Sequence, residues 1–447
     1  VKIDIEIHRV CDTALNIAMA SGANDVSIVG ERKRENMIRF SNNTVTVVKT
    51  IETILIQAYV GVGRRRMIGV SSNVSQEGIR RFVTNLIKAC RTLEPSSDYV
   101  ALPSEPFRYG SSPAFDKLII DEDTDLVDIV KQSINAAIDS GAKRASGSLL
   151  GSDDETAITT SAGAHRAERS TSILLSLRAF AEKNASGHGL SCSANLSGLD
   201  AAGAGKRAGQ YAKRALNPHT CTEGKYDLIL TPTVAADIFQ HIGEFASAFY
   251  VDLGVSFFGD MIGKTVARDS LNIRDRGVVK GGFGGRSFDD EGLATRETYL
   301  VENGQAKNLL HNNVTSKKFA TDSTGNAGII DPHPWNIIVD EGDQRYEELV
   351  KDTKRGIIVT NNWYTRFQDM RSGQYSTLPR DAAFMIENGE ITSPISGIRI
   401  SDNIPRQLRE MDAITRGREW IYWWEVRVPT LTPAIRLRNV PVTRAST

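Results

Sequence analysis

Between residues 25 and 62 the chain alternates apolar and polar side chains over four runs, 25–31, 36–41, 44–50 and 53–62, with Asn42-Asn43 between the middle two. Alternation of period two is the signature of a strand with one buried face. Asparagine accepts the positive φ that a two-residue hairpin requires. An antiparallel hairpin near the start of the chain follows, and the rest of the first half must be built around it. The segment 60–66, Val-Gly-Val-Gly-Arg-Arg-Arg, turns the chain into a further strand at 67–71. Helical spacing marks 7–21 through Val10, Leu15, Ile17 and Met19, with a stop at Gly22. A second helix opens at Ser75 and presents Ile79, Phe82, Val83, Leu86, Ile87 and Cys90 on one face. A third is capped by Asp123, turns Leu126, Ile129, Val130, Ile134 and Ile138 inward, and stops at Gly141. Strands resume over 145–194, and a helix spans 204–216.

Residues 218–224 carry Pro, His, Thr, Cys and Gly without periodicity, which makes them the best domain boundary. A compact apolar strand follows at 226–230, then a helix begun by Thr231-Pro232-Thr233. Beyond Ser256 short strands alternate with Gly- and Asn-rich turns. The expectation is an α+β chain of two domains. Residues 1–220 place helices on a mixed or antiparallel sheet, and 221–447 form a β-rich domain, barrel-like or a sandwich. A length of 447 residues suits that division.

With 40% hydrophobic and 24% charged residues the balance is that of an ordinary globular protein. A formal net charge of +0 lacks the basic stripe of a nucleic-acid binder, so no nucleic-acid partner is expected. The C-terminal arginines from Arg406 to Arg444 are interrupted by Glu410, Asp412, Glu419 and Glu425, as on a solvated face. No run approaches the roughly 18 apolar residues of a membrane span. The first seven residues alternate charged and apolar side chains, unlike the apolar core of a signal peptide. Cys11, Cys90, Cys192 and Cys221 are widely spaced, and Cys11 and Cys90 fall on or beside apolar helical stripes as buried thiols. These readings suit a reducing cytoplasm.

Four segments of the second half stand out. They are Ser256-Phe257-Phe258-Gly259-Asp260-Met261-Ile262-Gly263-Lys264, Phe288-Asp289-Asp290-Glu291-Gly292 with Glu302-Asn303-Gly304, Ser323-Thr324-Gly325-Asn326-Ala327, and Ile386-Glu387-Asn388-Gly389-Glu390-Ile391. Each alone is good turn chemistry. In this order they resemble the TldD/PmbA family, metalloproteases whose name is also tied to modulation of DNA gyrase. The first half is similar more loosely, through Gly22-Ala23-Asn24-Asp25 and through the basic turn Arg64–Arg66 that leads to the helix at Ser75.

The resemblance carries expectations about the site. In catalytic members the helix after Thr233 bears His-Glu-x-x-x-His, with a cysteine further on. Two imidazoles converging on zinc, with a carboxylate beside the metal-bound water, are what zinc hydrolysis needs. Here the helix reads Phe239-Gln240-His241-Ile242-Gly243-Glu244, and no cysteine follows Cys221. Registering Gly243 and Ser256 on the family puts Phe239 and Glu244 at the ligand positions and Gln240 at the general base. The chain thus resembles the metal-free PmbA (TldE) side of the family. By that resemblance it has no zinc or other cofactor of its own, zinc being expected in a catalytic TldD-type sister subunit. It pairs with that sister, forms a homodimer when alone, and helps enclose an unfolded peptide. No catalytic residue is assigned, and whether the chain is itself an enzyme stays open. One alternative is an independent peptidase with its metal site moved to His241 and Glu244, which share a helix face at i, i+3. Another is a DNA gyrase-linked regulatory binding protein, against which the neutral charge speaks.

Peptide-binding candidates are Asn326 and Gln374, in polar loops where strand addition could hold an extended chain. Both also read as plain turn residues. The glycine-rich 281–285 lacks the Lys-Ser/Thr of a phosphate loop and reads as a flexible loop. Trp420, Tyr422, Trp423 and Trp424 form an aromatic run in which alternation puts Trp420, Tyr422 and Trp424 on one strand face. That face is either sheet packing or a subunit interface.

Overall fold

The computed structural model describes residues 6–104 and 106–445. Most of the N-terminal alternation at 1–7 lies outside them. The first half contains α1 (Ile7–Ala20), β1 (Asp25–Ser41), β2 (Thr44–Val62), β3 (Arg65–Ser71), α2 (Gln76–Thr92), α3 (Leu126–Asp139), β4 (Arg144–Thr160), β5 (His165–Glu182), β6 (Ala185–Ser193) and α4 (Ala201–Arg214). The strands form one sheet in the order β3-β2-β1-β4-β5-β6, with every neighbouring pair antiparallel. The hairpin turns at Asn42 and Asn43, whose φ values are 49° and 68°. The runs 25–31 and 36–41 are one continuous strand, as are 44–50 and 53–62. The charged residues between the first two runs do not break it, because Glu31 to Asn36 stay in register with Thr156 to Gly151 of β4.

Ser75 caps α2 by accepting from the Gly78 N–H at 3.1 Å. The cap of α3 is Asp125, not Asp123. The Asp125 carboxylate accepts from the Asp128 N–H at 2.9 Å, while the Asp123 N–H donates to the Asp121 carboxylate two residues earlier. α1 and α2 bury Ile7, Cys11, Ile87 and Cys90 against Ile28 and Ile56 of the sheet. Cys192 and Cys221 are buried as well.

α4 is built from small residues so that three backbones can touch. An added Cβ at Gly205 would lie 2.1 Å from the Ser133 carbonyl oxygen of α3, and one at Gly209 2.3 Å from that of Ala137. On the other side, a Cβ at Gly187 or Gly189 of β6 would meet the carbonyls of Ala208 and Ala204 at 2.2 and 2.0 Å.

After β7 (His219–Thr220) the chain enters β8 (Gly224–Leu230) and α5 (Pro232–Phe245). β8 lies inside a ten-stranded mixed sheet, parallel to the strand Arg355–Val359 and antiparallel to Ile435–Arg444. Its side chains alternate between two cores. Tyr226, Leu228 and Leu230 join α5 on one face, and Ile229 joins the layer of α3 and α4 on the other. A second sheet of six strands includes Ile273–Arg276, Ile337–Val339 and Thr430–Thr432. α5 fills the core shared by both sheets, where Ile238, Phe239 and Ile242 pack with Leu228, Leu300 and Ile337. The α+β class stands. The second half forms two open sheets rather than a closed barrel, and it also carries a helix at Ile404–Glu410. Among the described residues no helix is long and apolar enough to cross a membrane.

Two expectations need correction. The glycine loop 281–285 is packed, not loose. Phe283 is buried against Trp420 and Tyr422, and a Cβ at Gly285 would lie 1.5 Å from the Gly277 oxygen. The aromatic run does not continue one strand, because the strand Glu419–Ile421 holds Trp420 and ends before Tyr422. Trp423 is buried on His188, whereas Trp424 is exposed.

The contact of α4 with α3 yields a stability test. Gly205→Val should destabilise the chain by about 1–3 kcal/mol through overpacking, read as a lower urea midpoint. Lys206→Ala, at an exposed position of the same helix, should stay within about 0.5 kcal/mol of the parent.

Candidate functional site

α5 begins where Thr231 leaves the extended conformation and Pro232 takes the first helical position, for which its fixed φ is suited. The Thr231 hydroxyl donates to the Thr360 carbonyl at 2.9 Å and does not cap the helix. Nearly the whole helix is buried. Gly243 sits in close packing, since a Cβ there would lie 2.5 Å from Cδ1 of Ile337 and 3.2 Å from Cβ of Pro334.

Four side chains of α5 form a connected polar line. Gln240 donates through Nε2 to the Glu425 carbonyl at 2.6 Å and to Asp237 at 2.9 Å. Its Oε1 accepts from the backbone N–H groups of Arg427 and Val428 at 2.8 and 3.4 Å. Asp237 is buried and also accepts from Asn362 at 2.6 Å and Thr365 at 2.5 Å. His241 places Nε2 3.5 Å from Asp237 and Nδ1 2.6 Å from Glu244, edge-on to Phe367. Burial alone would push the imidazole toward neutrality. The hydrogen bonds and charges of Asp237 and Glu244 outweigh burial and raise its pKa to about 10. The same partnership works in reverse on Asp237. Burial raises its pKa, but His241, Thr365 and Asn362 bring it below the ordinary carboxylate value.

At the C-terminal end of α5 a cleft of about 390 Å³ opens, lined by Glu244, Tyr250, Val255, Asp331, His333 and Met370. Met370 belongs to the hairpin formed by the strands Asn362–Asp369 and Gln374–Pro379. Gln374 starts the second of these strands and is exposed. Asn326 is elsewhere and fully buried. Its amide donates to Asp275 at 2.6 Å and to the His333 carbonyl at 2.9 Å, so it positions a wall of the cleft rather than facing a ligand. The structure therefore joins His241 with Glu244 and puts Gln374 on a cleft-lining hairpin, but it does not present Asn326.

The other motifs are interlocks. Asp289 accepts from the Ala327 N–H at 3.1 Å, and the Asp290 N–H donates to the Ala327 carbonyl at 2.9 Å. Ser27 of β1 donates to the Asp290 carbonyl at 2.7 Å, which ties the first sheet to this loop. Sequence reasoning overlooked Asp237, Asn362 and Thr365. The signal for Asp237 was present in its spacing, three residues before Gln240 and four before His241 on one helix.

Comparison with known proteins bears on the same segments. The profile of the PmbA/TldA metallopeptidase C-terminal domain matches residues 223–444, and that of the central domain of the same family matches 115–216. The chain belongs to the PmbA/TldD family. A metalloprotease of Methanocaldococcus jannaschii is 32% identical over 221 residues, 46% of this chain and 47% of that one. Metalloprotease PmbA of Escherichia coli is 29% identical over 205 residues, 46% and 43% of the two chains. The chain thus spans about half the length of the curated relatives it matches. Among solved structures, TldE from Thermococcus kodakarensis superposes with a TM-score of 0.86 at 19% identity, over 98% of this chain and 100% of that one. A putative modulator of a DNA gyrase from Thermotoga maritima gives 0.85 at 21%, over 97% and 99%. These likenesses establish the fold.

The family implies a metal, and the donor set of α5 can be tested against one. Phe239 offers no donor atom and is fully buried. The Gln240 oxygen already accepts two backbone N–H groups. His241 and Glu244 are bonded to each other, and His241 holds its protons where a ligand needs a lone pair. Zinc does not fit these residues.

The charge on His241 predicts a pH dependence. Its folded pKa lies above the ordinary 6.5, so its stabilisation is complete below about pH 6.5 and is lost as the pH rises toward 10. His241→Gln should lower the urea midpoint most near pH 6 and least near pH 10. In the parent, imidazole ¹⁵N shifts at pH 8 should be those of an imidazolium, and neutral-imidazole shifts would contradict the assignment.

Proposed function

We propose that the chain is the metal-free partner subunit of a TldD/TldE-type metallopeptidase that acts on unfolded peptides. The observation that carries this reading is Gln240. At the position that the family resemblance gives to the general base, an amide is fully committed to Asp237 and to the 425–428 backbone. A glutamate there would confront the Asp237 carboxylate and lose two donor bonds, so the helix serves as scaffold. The cleft at its end then acts as a wall of the peptide chamber. An extended substrate is held by its main chain, with Gln374 and the hairpin around Met370 as contacts. The division near residue 220, the cytoplasmic location, the homodimer of the isolated chain and the pairing with a catalytic sister belong to the same proposal. The exposed side chains of Trp424 and Tyr364 support a subunit contact, since interface cores favour such aromatics.

Two measurements test it. A complex reconstituted with a catalytic sister should contain one zinc per pair by elemental analysis, and two would show that this chain carries its own. In that complex Gln374→Ala should leave the melting temperature unchanged and raise KM for an unfolded peptide about fivefold, the effect of one lost hydrogen bond. Asn326→Ala should instead lower the melting temperature, because it strips a donor from buried Asp275. Unaltered turnover in Gln374→Ala at subsaturating peptide would remove this hairpin from the substrate path.

A further inference from the structure

At the opposite end of α5, about 20 Å from the cleft by the rise of a 14-residue helix, lies a separate cavity of about 420 Å³. Thr231, Pro232 and Thr233 bring the first turn of α5 to its wall. Of the backbone N–H groups there, that of Thr231 donates to the Val359 carbonyl at 3.2 Å and that of Val234 to the Thr231 carbonyl at 3.0 Å, and Pro232 has none, so the Thr233 N–H alone is left without a partner among the described residues. Three guanidinium groups line the same space, Arg207, Arg416 and Arg418, against one carboxylate, Glu419. Their existing ties are weak or neutral. Arg207 stands 3.6 Å from Asp200 and Arg418 3.7 Å from Asp340. Arg416 donates to the Asp343 backbone carbonyl at 2.7 Å and has no carboxylate partner among the described residues. The buried acid behind the wall, Asp381, is already matched by Arg178 at 2.6 and 2.8 Å and by Ser186.

A second observation points into the cavity independently of the helix end. His188 lines it and is 6% exposed. Its Nε2 pairs with the Ser176 hydroxyl at 3.0 Å and its ring lies on Trp423. Its Nδ1 has no partner among the described residues. Burial pushes the imidazole pKa down to about 4, so it is neutral at pH 7. In the tautomer whose Nε2 accepts from the Ser176 hydroxyl, Nδ1–H is an unused donor at the cavity wall. The hydroxyls of Tyr211 and Tyr346 line the same space without a hydrogen-bond partner among the described residues. Arginines, one helix amide, phenols and an imidazole thus converge as donors.

We propose that this cavity binds a small organic phosphate monoester. Arg207, Arg416 and Arg418 supply the charge and Thr233 of α5 a backbone donor. Three cations against one anion match the roughly two negative charges of a phosphate monoester better than the single charge of a carboxylate. A helix N-terminus suits phosphate in the same way. The volume lies within the range of small-molecule sites and exceeds what inorganic phosphate fills. Tyr211 and Leu190 offer apolar surface for the organic part. The site stands apart from the peptide reading and does not rest on it.

Calorimetric titration of the full chain with phenyl phosphate, inorganic phosphate and benzoate provides the test. Phenyl phosphate should bind one per chain, about tenfold more tightly than benzoate and more tightly than inorganic phosphate. Arg416→Gln, at an exposed position, should weaken it about tenfold without changing the melting temperature of the free chain. Arg207→Gln combined with it should abolish binding. Lys280→Gln, in a different surface cleft, should leave the affinity unchanged. If the double variant does not fold, the His188 imidazole resonances decide the matter, because they should shift on adding phenyl phosphate. No saturable binding at millimolar ligand would overturn the assignment. So would benzoate binding as tightly, an affinity indifferent to Arg416→Gln, or unmoved His188 resonances.

Discussion

The carboxylate of Asp237 is buried in the middle of the second half, and the surrounding structure is arranged to satisfy it. A buried charge left unpaired is penalised by several kcal/mol. Asp237 avoids this by drawing donors from two parts of the chain. Gln240 and His241 come from its own helix, and Asn362 and Thr365 from the first strand of the hairpin. Gln240 then passes the constraint on to the 425–428 backbone. Helix, hairpin and C-terminal segment are thereby locked in one register. Removing any one of these donors affects all three elements, which is why the polar line behaves as a unit rather than as separate bonds.

Within this arrangement a protonated His241 does the electrostatic work that a bound cation would do in a metal site. It sits between two carboxylates, 3.5 Å from one and 2.6 Å from the other. A neutral imidazole able to ligate would leave Asp237 and Glu244 facing each other without a positive charge between them. The same helix position cannot serve both roles. A scaffold shared with metallopeptidases can therefore carry a metal-binding helix or a self-satisfied one, and the choice lies in a few side chains rather than in the fold.

Legibility in the sequence followed the range of the interaction. The Asn42-Asn43 hairpin, the Ser75 cap and the stop at Gly141 are local, and each forms as its own residues dictate. The charged stretch 31–36 looked like a break, although it pairs with 50–55 of β2 on one side and, more than a hundred residues away, with 151–156 of β4 on the other. Asp123 and Asp125 are equally good caps in sequence, and the position of the first buried turn decides between them. At the site, the expectation that Phe239 and Glu244 stand at the ligand positions and Gln240 at the general base came from family resemblance. That Gln240 is held by the backbone of 425–428 was not legible, since no pattern in either segment names the other. Asn326 misled for the same reason: a polar residue beside glycine reads as an exposed turn, and its burial depends on Asp275, which lies fifty-one positions earlier.

The strand Asn362–Asp369 concentrates the remaining tension. It is the terminal strand of the ten-stranded sheet, so its outer edge has no neighbouring strand among the described residues. Open edges invite pairing with other chains, and proteins blunt them with bulges and charge. This one has irregular register at Trp363/Arg366 and again at Phe367/Asp369. Within the first of these Tyr364 adopts φ 63°, a conformation that disfavours an aromatic residue by about 1–2 kcal/mol. Two contacts offset that strain: the Tyr364 N–H donates to the Glu425 carboxylate, and the Arg366 guanidinium lies 4.2 Å from the ring centre. Glu425 is also the residue whose carbonyl receives Gln240. The strain is therefore held by the network that holds Asp237, and the exposed Tyr364 ring is fixed relative to α5 rather than left to a free loop. An edge kept irregular in this way resists indiscriminate pairing along its length.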